Sequence, residues 1–284
     1  MKVFYRPEQN AINQGAYSPS AGKPALVVQD WLARGIITAQ DILRFEPVTT
    51  ADLKRAHDAG YVDGVLGLEM ANGFGNRNAE VAASLPYTSG SLLAAARHAI
   101  AHDENVCSPT SGFHHAHHAH GGGFCTFNGL MVTALALLDA GEARSIGILD
   151  CDMHYGDGTD DIIRTLGVRA IRHHTMGARF SCRADAGRDG REFLTWLERA
   201  IDDCSDADLV IYQAGADPHI HDPLGGVLTS VEMAQRDHAV FKAFQGRALV
   251  WNLAGGYQRD ADGGIEPVLK LHRTTAQVQS VYAG

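Results

Sequence analysis

Two carboxylates and an imidazole follow an apolar run in the middle of the chain, within residues 150–154 (DCDMH). If the strand continues through them, Asp150, Asp152 and His154 alternate onto one face. Such a group is costly to desolvate unless a cation compensates its charge, and carboxylate oxygen with imidazole nitrogen suits zinc or a similar divalent ion. The segment therefore predicts a metal site. A polar strand end that caps the following Gly-Asp-Gly turn is an alternative of similar weight.

A second apolar run ends in acidic and imidazole groups at residues 209–226 (LVIYQAGADPHIHDPLGG). A catalytic zinc site has three protein ligands and one open position, and Asp222 or Asp217 could supply the third ligand. Taken alone, this segment is more typical of a polar surface loop.

A cluster of histidines lies at residues 112–125 (GFHHAHHAHGGGFC). Adjacent histidines near a metal can act as general acid and base, because the imidazole pKa lies near neutrality. Each would need a carboxylate partner to fix its tautomer. A solvated histidine-rich loop is the alternative, and it describes His117, His118 and His120 best. The three glycines lack the strand and lysine of a phosphate-binding loop, which excludes nucleotide binding.

A tyrosine follows a glycine pair at residues 251–257 (WNLAGGY). At the end of a strand, the phenol of Tyr257 could donate to a developing oxyanion. For this motif alone, a structural turn with a half-buried tyrosine is the better interpretation.

These polar segments need a scaffold that brings them together. Short apolar runs predict buried strands at 145–149, 168–172, 209–212 and 248–253, and helical spacing predicts helices at 90–102, 128–140, 191–204 and 230–244. Alternating strands and helices predict a mostly parallel sheet covered on both faces. Ligands bind such sheets outside the carboxyl ends of the strands, where the polar segments lie.

Composition restricts the class of protein. The chain has 284 residues, 45% of them hydrophobic, which fits one domain spanning residues 1–284. A formal net charge of −9 disfavours nucleic-acid binding, because phosphate contacts need clustered lysine and arginine. The five cysteines include no C-x-x-C pair, so free thiols in a reducing compartment are expected. We expect a cytoplasmic protein without a membrane segment, since the N-terminus lacks a signal-peptide core and no apolar run approaches ~20 residues.

Taken together and in this order, the motifs resemble those of the histone deacetylase superfamily, which includes bacterial acetylpolyamine amidohydrolases. The resemblance is carried by AHDAGYV, GFHHA, GGFCTFN, DCDMHYGDG, AGADPHIHDPLGG and AGGY, which lie at residues 56–62, 112–116, 122–128, 150–158, 214–226 and 254–257. It implies the arginase/deacetylase fold, a three-layer α/β/α sandwich around a mostly parallel sheet. It also implies zinc-dependent hydrolysis of an N-acyl amide, with an acetylated amine such as acetyl-lysine or an acetylpolyamine as substrate.

The resemblance also implies the metal sites. The zinc ligands would be Asp152, His154 and Asp222, and Fe²⁺ could occupy the same ligands. Family members bind a potassium ion behind the zinc strand. To this ion the chain would contribute Asp150, Asp152 and His154, partly through their backbone carbonyls, and the carbonyl groups of Arg172 and His173.

Two histidine–aspartate pairs follow from the resemblance. His115 would be the general base that deprotonates the attacking water and then protonates the leaving amine, with Asp157 as its partner. His114 would orient the water, with Asp150 as its partner.

The remaining implied residues contact the substrate. Tyr257 would donate to the carbonyl oxygen as it becomes an oxyanion. Phe124 would line a narrow acyl channel, with Gly123 and Gly255 beside it.

Some features depart from the family pattern. Tyr155 stands where many relatives have a second histidine, and residues 17–24 (YSPSAGKP) lack the usual N-terminal motif.

A ureohydrolase with two manganese ions is disfavoured, because Tyr155 and Gly156 stand where further ligands would be needed. A catalytically inactive member that binds metal or an acylated amine remains the alternative to an enzyme. The sequence leaves a homo-oligomer open.

Overall fold

The computed structural model describes residues 1–283, and in them a parallel sheet of seven strands forms the centre of the protein. The strands are β1 (Val3–Phe4), β2 (Ile42–Leu43), β3 (Asn105–Cys107), β4 (Ile146–Asp150), β5 (Ile171–Thr175), β6 (Leu209–Gln213) and β7 (Leu249–Asn252). Their spatial order is β2-β1-β3-β7-β6-β4-β5, and every neighbouring pair is parallel.

Helices connect the strands and cover the sheet. They are α1 (Lys23–Ala33), α2 (Thr50–Ala56), α3 (Ala59–Leu66), α4 (Ala79–His102), α5 (Gly129–Asp139), α6 (Asp157–Leu166), α7 (Arg191–Asp203), α8 (Ser230–Ala243) and α9 (Glu266–Tyr282). Within residues 1–283, none of these helices combines the length and apolarity needed to cross a membrane.

Each face of the sheet has its own hydrophobic core, because successive strand residues point to opposite faces. Val210 and Tyr212 of β6 pack on one face with apolar residues of α1, α7, α8 and α9. Leu209 and Ile211 of the same strand pack on the other face with residues of α2 to α6. The predicted three-layer α/β sandwich is thereby confirmed.

The largest difference from the predicted elements is α4, which begins at Ala79 rather than at residue 90. Asn78 caps this helix by accepting the N–H groups of Glu80 and Val81. Pro86 and Gly90 lie inside it, and both residue types normally disfavour a helix interior. The tertiary packing of α4 against α5 overrides these local preferences.

Candidate active site

The carboxyl ends of β4, β6 and β7 lie side by side, because these strands are neighbours in the sheet. The loop after β4 carries Asp152 and His154, the loop after β6 carries Asp217 and Asp222, and the loop after β7 carries Tyr257. The topology confirms that the three polar segments converge at one edge of the sheet.

Asp152, His154 and Asp217 form a compact group that could hold a metal ion, with one ligand atom from each residue within 4.8 Å of the others. Nδ1 of His154 lies 3.2 Å from Oδ1 of Asp152 and 3.1 Å from Oδ2 of Asp217. Both carboxylates are buried. Oδ2 of Asp152 accepts the N–H of Gly255 at 2.7 Å, which fixes the orientation of that carboxylate.

The charges of this group favour a bound cation. Burial and the charge of Asp152 raise the pKa of Asp217 to about 7. Burial lowers the pKa of His154, but in the metal-free group hydrogen bonds to Asp152 and Asp217 outweigh it and raise the pKa to about 11, so a metal ion bound here would displace the ring proton. The two buried carboxylates therefore repel each other unless a positive charge lies between them. Two oxygen donors and one imidazole nitrogen fit Zn²⁺, and Fe²⁺ suits the same donors.

Asp222 does not belong to this group. Its Oδ2 accepts the N–H of Tyr257 at 2.7 Å, and its Oδ1 accepts the N–H of Leu224 at 3.0 Å. The resemblance implies Asp222 as the third zinc ligand, whereas the compact group contains Asp217, so the choice between these two carboxylates stays a prediction. Asp217 lies close to the end of β6, and Asp222 braces the segment that carries Tyr257.

His114 and Asp150 form a buried pair, in which Nδ1 of His114 donates to Oδ2 of Asp150 at 2.8 Å. Nε2 of His114 lies 3.5 Å from Oδ1 of Asp152. Burial opposes the charged form of His114, but Asp150 and Asp152 outweigh it and raise the pKa to about 9. His114 is therefore expected to carry a positive charge near neutral pH.

His115 and Asp157 form the second pair, with Nδ1 of His115 donating to Oδ1 of Asp157 at 2.7 Å. The ring of His115 lies beside that of His114, with 4.1 Å between centroids. Burial and the neighbouring His114 lower the pKa of His115, despite the opposing effect of Asp157. The two adjacent histidines thus differ in the direction of their pKa shifts, since the pKa is raised for His114 and lowered for His115.

Tyr257 is buried beside the metal-binding group, and its ring centroid lies 6.3 Å from that of His154. Burial, reinforced by the charges of Asp217 and Asp152, raises the pKa of the phenol far above its ordinary value. The hydroxyl therefore keeps its proton and can act as a hydrogen-bond donor.

Aromatic rings surround the approach to this site. The Phe124 ring lies 5.9 Å from Tyr257 and 5.8 Å from Phe74. Tyr17, which the sequence reasoning does not single out, lies 6.4 Å from Phe124 and 6.2 Å from Tyr257, with its ring roughly parallel to both. An open cavity of about 640 Å³ adjoins Tyr17 and Tyr257.

Gly123 and Gly255 lie directly against side chains of the candidate site. A Cβ at Gly255 would collide with the carboxylate of Asp217, and a Cβ at Gly123 would collide with the ring of His115. Gly123 also has a φ of +52°, in the left-handed region that favours glycine. Both positions therefore need glycine so that the backbone can approach the site closely.

Two buried cations support the site and were missed by sequence reasoning. Nζ of Lys23 donates to the carbonyl oxygens of Ala254 at 2.6 Å and Gly255 at 3.2 Å. Burial lowers the pKa of Lys23 to about 8, against the opposing charge of Asp217. Arg236 donates to the carbonyl oxygen of Gly215 at 2.7 Å, in the loop that carries Asp217. Neither residue lies in a recognisable motif, and only the fold brings them here.

Known proteins with similar sequences include deacetylases and acetylpolyamine amidohydrolases. Residues 20–176, more than half of the chain, match the family model of the histone deacetylase domain. The acetylpolyamine amidohydrolase of Mycoplana ramosa is 28% identical over 258 residues, which cover 80% of this chain and 72% of that protein. Acetylpolyamine amidohydrolase 2 of Pseudomonas aeruginosa is 29% identical over 178 residues, which cover 54% of this chain and 50% of that protein.

Two further comparisons concern length and fold. An uncharacterized protein of Picosynechococcus is 28% identical over 61% of this chain and 63% of its own length. The matched part of this chain thus spans between half and two thirds of the length of some curated relatives. The crystal structure of the acetylpolyamine aminohydrolase from Burkholderia pseudomallei superposes with a TM-score of 0.73 over the full length of both chains. At 17% identity, this likeness concerns the fold alone.

Proposed function

The chain belongs to the histone deacetylase family, and from this premise we propose that it hydrolyses the amide bond of N-acylated amines, with acetyl as the acyl group. The observation that carries the proposal is the convergence of one metal-binding group, two histidine–aspartate pairs and one buried phenol at the same sheet edge. A protein that only bound an acylated amine would need neither a neutral base nor a fixed phenol donor.

We assign metal binding to Asp152 and His154, with Asp217 as the third ligand that the geometry favours and Asp222 as the third ligand that the resemblance implies. A divalent cation held there, Zn²⁺ in this proposal with Fe²⁺ as the alternative, supplies Lewis-acid polarisation of the amide carbonyl and lowers the pKa of a nearby water. Three protein ligands leave the open position that substrate and water need.

His115 is the proposed general base and acid. Its lowered pKa leaves the ring neutral at pH 7, and its Nδ1–H is held by Asp157, so Nε2 is free to accept a proton from water. After the C–N bond breaks, the same nitrogen returns this proton to the leaving amine. His114 stays positively charged through its pair with Asp150 and stabilises negative charge that develops in the transition state.

Tyr257 is the proposed oxyanion donor. Its hydroxyl keeps its proton, and the hydrogen bond between its N–H and Asp222 holds the backbone that carries it. Loss of one such donor typically costs about 10²–10³-fold in kcat, equivalent to about 3–4 kcal/mol.

The proposed substrate has an unbranched chain next to the acylated nitrogen. Rings of Phe124, Phe74 and Tyr17 surround the approach, and their flat apolar faces suit methylene groups. Acetyl-lysine in a peptide and an acetylpolyamine both meet this requirement. The net charge of −9 favours a cationic partner over nucleic acid.

Acetate release from acetyl-lysine peptides and acetylpolyamines tests the proposal. We expect turnover that a chelator abolishes and Zn²⁺ restores, and a loss of about 10²–10³-fold in Tyr257→Phe with little change in KM. Tyr282→Phe is the matched control, since its phenol contacts His238 on the surface away from the site. Turnover that resists the chelator would refute the metal mechanism. Bound metal without turnover on any acylated amine would favour a binding protein.

A further inference from the structure

The ring of His173 in β5 is buried directly behind the pair formed by His114 and Asp150. Its side chain is 2% exposed, and its Nδ1 donates to Oδ1 of Asp160 at 2.7 Å. Its Nε2 lies 3.7 Å from Oδ2 of Asp150, an ion-pair distance, and has no hydrogen-bond partner in the described structure. The ring thus lies between two carboxylates.

The position of the ring indicates that both nitrogens carry hydrogen. A nitrogen lone pair facing a carboxylate oxygen is repelled, whereas an N–H is attracted, and only the cationic form of histidine has two N–H groups.

The carboxylate of Asp150 is enclosed by nitrogen donors. Its Oδ1 accepts from Nε2 of Gln213 at 2.7 Å and from the N–H of Asp152 at 3.2 Å. Its Oδ2 accepts from Nδ1 of His114 at 2.8 Å and faces the ring of His173. A carboxylate offers about four lone-pair sites, and each one here faces a nitrogen. This carboxylate therefore does not fit the potassium ion that the family resemblance predicts, since hard cations need oxygen ligands.

Neighbouring residues are adapted to the ring of His173. A Cβ at Gly156 would lie 2.6 Å from Oδ2 of Asp150 and 3.0 Å from Cε1 of His173, so glycine is required where the ring meets the carboxylate. The hydroxyl of Tyr155 donates to Oδ2 of Asp160 at 2.5 Å. Tyr155 departs from the family pattern, and its hydroxyl holds Asp160, which in turn holds the ring of His173. The tyrosine at position 155 and the histidine at position 173 are therefore linked through one aspartate.

We propose that His173 is a positioning residue whose ring replaces a monovalent cation behind Asp150 and keeps Asp150 oriented toward His114. The protein therefore needs no potassium ion at this place. The effect on turnover rests on the proposed function, whereas the cation requirement can be measured without any substrate.

Thermal unfolding of the purified protein in potassium chloride and in tetramethylammonium chloride at equal ionic strength is the first test. We expect the same Tm in both salts for the native sequence. In His173→Ser, which removes the ring and leaves a hydroxyl oxygen, we expect a lower Tm in tetramethylammonium that potassium partly restores. His174→Asn is the matched control, since His174 is the next residue of β5 and pairs with Asp203 at 2.8 Å. It should not become sensitive to potassium.

Turnover in the same salts is the second test. Partners that orient a catalytic side chain are typically worth about 10–100-fold, so His173→Ser should lose kcat by that factor in tetramethylammonium with KM unchanged. Potassium should recover part of the loss. A rise in Tm or kcat of the native protein on adding potassium would overturn the proposal. If His173→Ser does not fold, the Tm values of the native protein and of a His173→Asn variant in the two salts test the proposal. If no acylated amine is hydrolysed, the proposed function fails, and thermal unfolding in the two salts still tests the role of His173.

Discussion

Asp217 and Asp222 offer a sharp test of the metal assignment, because they lie in one loop and only Asp217 belongs to the metal-binding group. We predict that Asp217→Asn weakens metal binding by about 1,000-fold, whereas Asp222→Asn changes it by less than about 10-fold. The two variants make the same chemical change, so each is the control for the other.

The expected magnitude follows from the distances. The ligand atoms lie within 4.8 Å of one another, so an ion among them lies within about 4 Å of the Asp217 carboxylate. At an effective dielectric constant of about 20, a carboxylate and a divalent cation at that distance attract by about 8 kcal/mol, and we take about half of this, about 4 kcal/mol, as the net value after desolvation. Losing this charge in Asp217→Asn corresponds to about a 1,000-fold weaker Kd. In Asp222→Asn the amide oxygen can still accept one backbone N–H, so we expect a change in Kd below about 10-fold.

Metal content after dialysis and titration against a chromophoric chelator measure both values, and circular dichroism confirms that each variant is folded. Asp222→Asn should keep its metal yet lose turnover by about 10-fold, because the hydrogen bond to the Tyr257 backbone weakens. The opposite pattern, metal lost in Asp222→Asn and kept in Asp217→Asn, would refute the reasoning from the geometry.

Three further predictions concern the surroundings of the metal group. Turnover should fall as the pH drops through the pKa of His115, which lies below its ordinary value of about 6.5, because His115 must be neutral to accept a proton. A pH–rate profile without an acidic limb would contradict this role. Gly255→Ala should lose bound metal while remaining folded, since its Cβ collides with the Asp217 carboxylate. Metal analysis beside a Gly22→Ala control, whose added Cβ meets no atom closer than 3.8 Å, checks this. Lys23→Met should lower the free energy of unfolding by about 1–3 kcal/mol, because two buried carbonyl groups lose their donor, and urea unfolding with unchanged stability would count against that contact.

The strands that form continuous apolar runs could be predicted from the sequence. The runs that became β4 and β6 match the structure within about one residue, because buried strands between helices leave a clear apolar signal. β1 and β2 have two residues each and carry no usable periodicity, so they were not predicted. The first half of α4 was missed because Pro86 and Gly90 are tolerated there only through packing.

The sequence allowed most residues of the candidate site to be predicted, but not all of the contacts between them. Sequence reasoning left Asp217 and Asp222 open on chemistry, since both are acidic residues of one loop, and the family resemblance then favoured Asp222. Only the path of the loop separates a carboxylate that faces His154 from one that faces the Tyr257 backbone. Tyr17 and Lys23 meet the site from the N-terminal segment, more than 200 residues from Tyr257 in the chain, and no local pattern marks such contacts.

The glycines that touch the catalytic groups have a consequence for how the protein can be altered. Around His115 and the Asp217 carboxylate, even one added methyl group collides, so directed evolution should find few tolerated substitutions there. Tyr17 is 55% exposed at the opposite, outer end of the approach. Libraries that vary Tyr17 and its neighbours should therefore yield variants with new substrate selectivity and intact catalytic machinery.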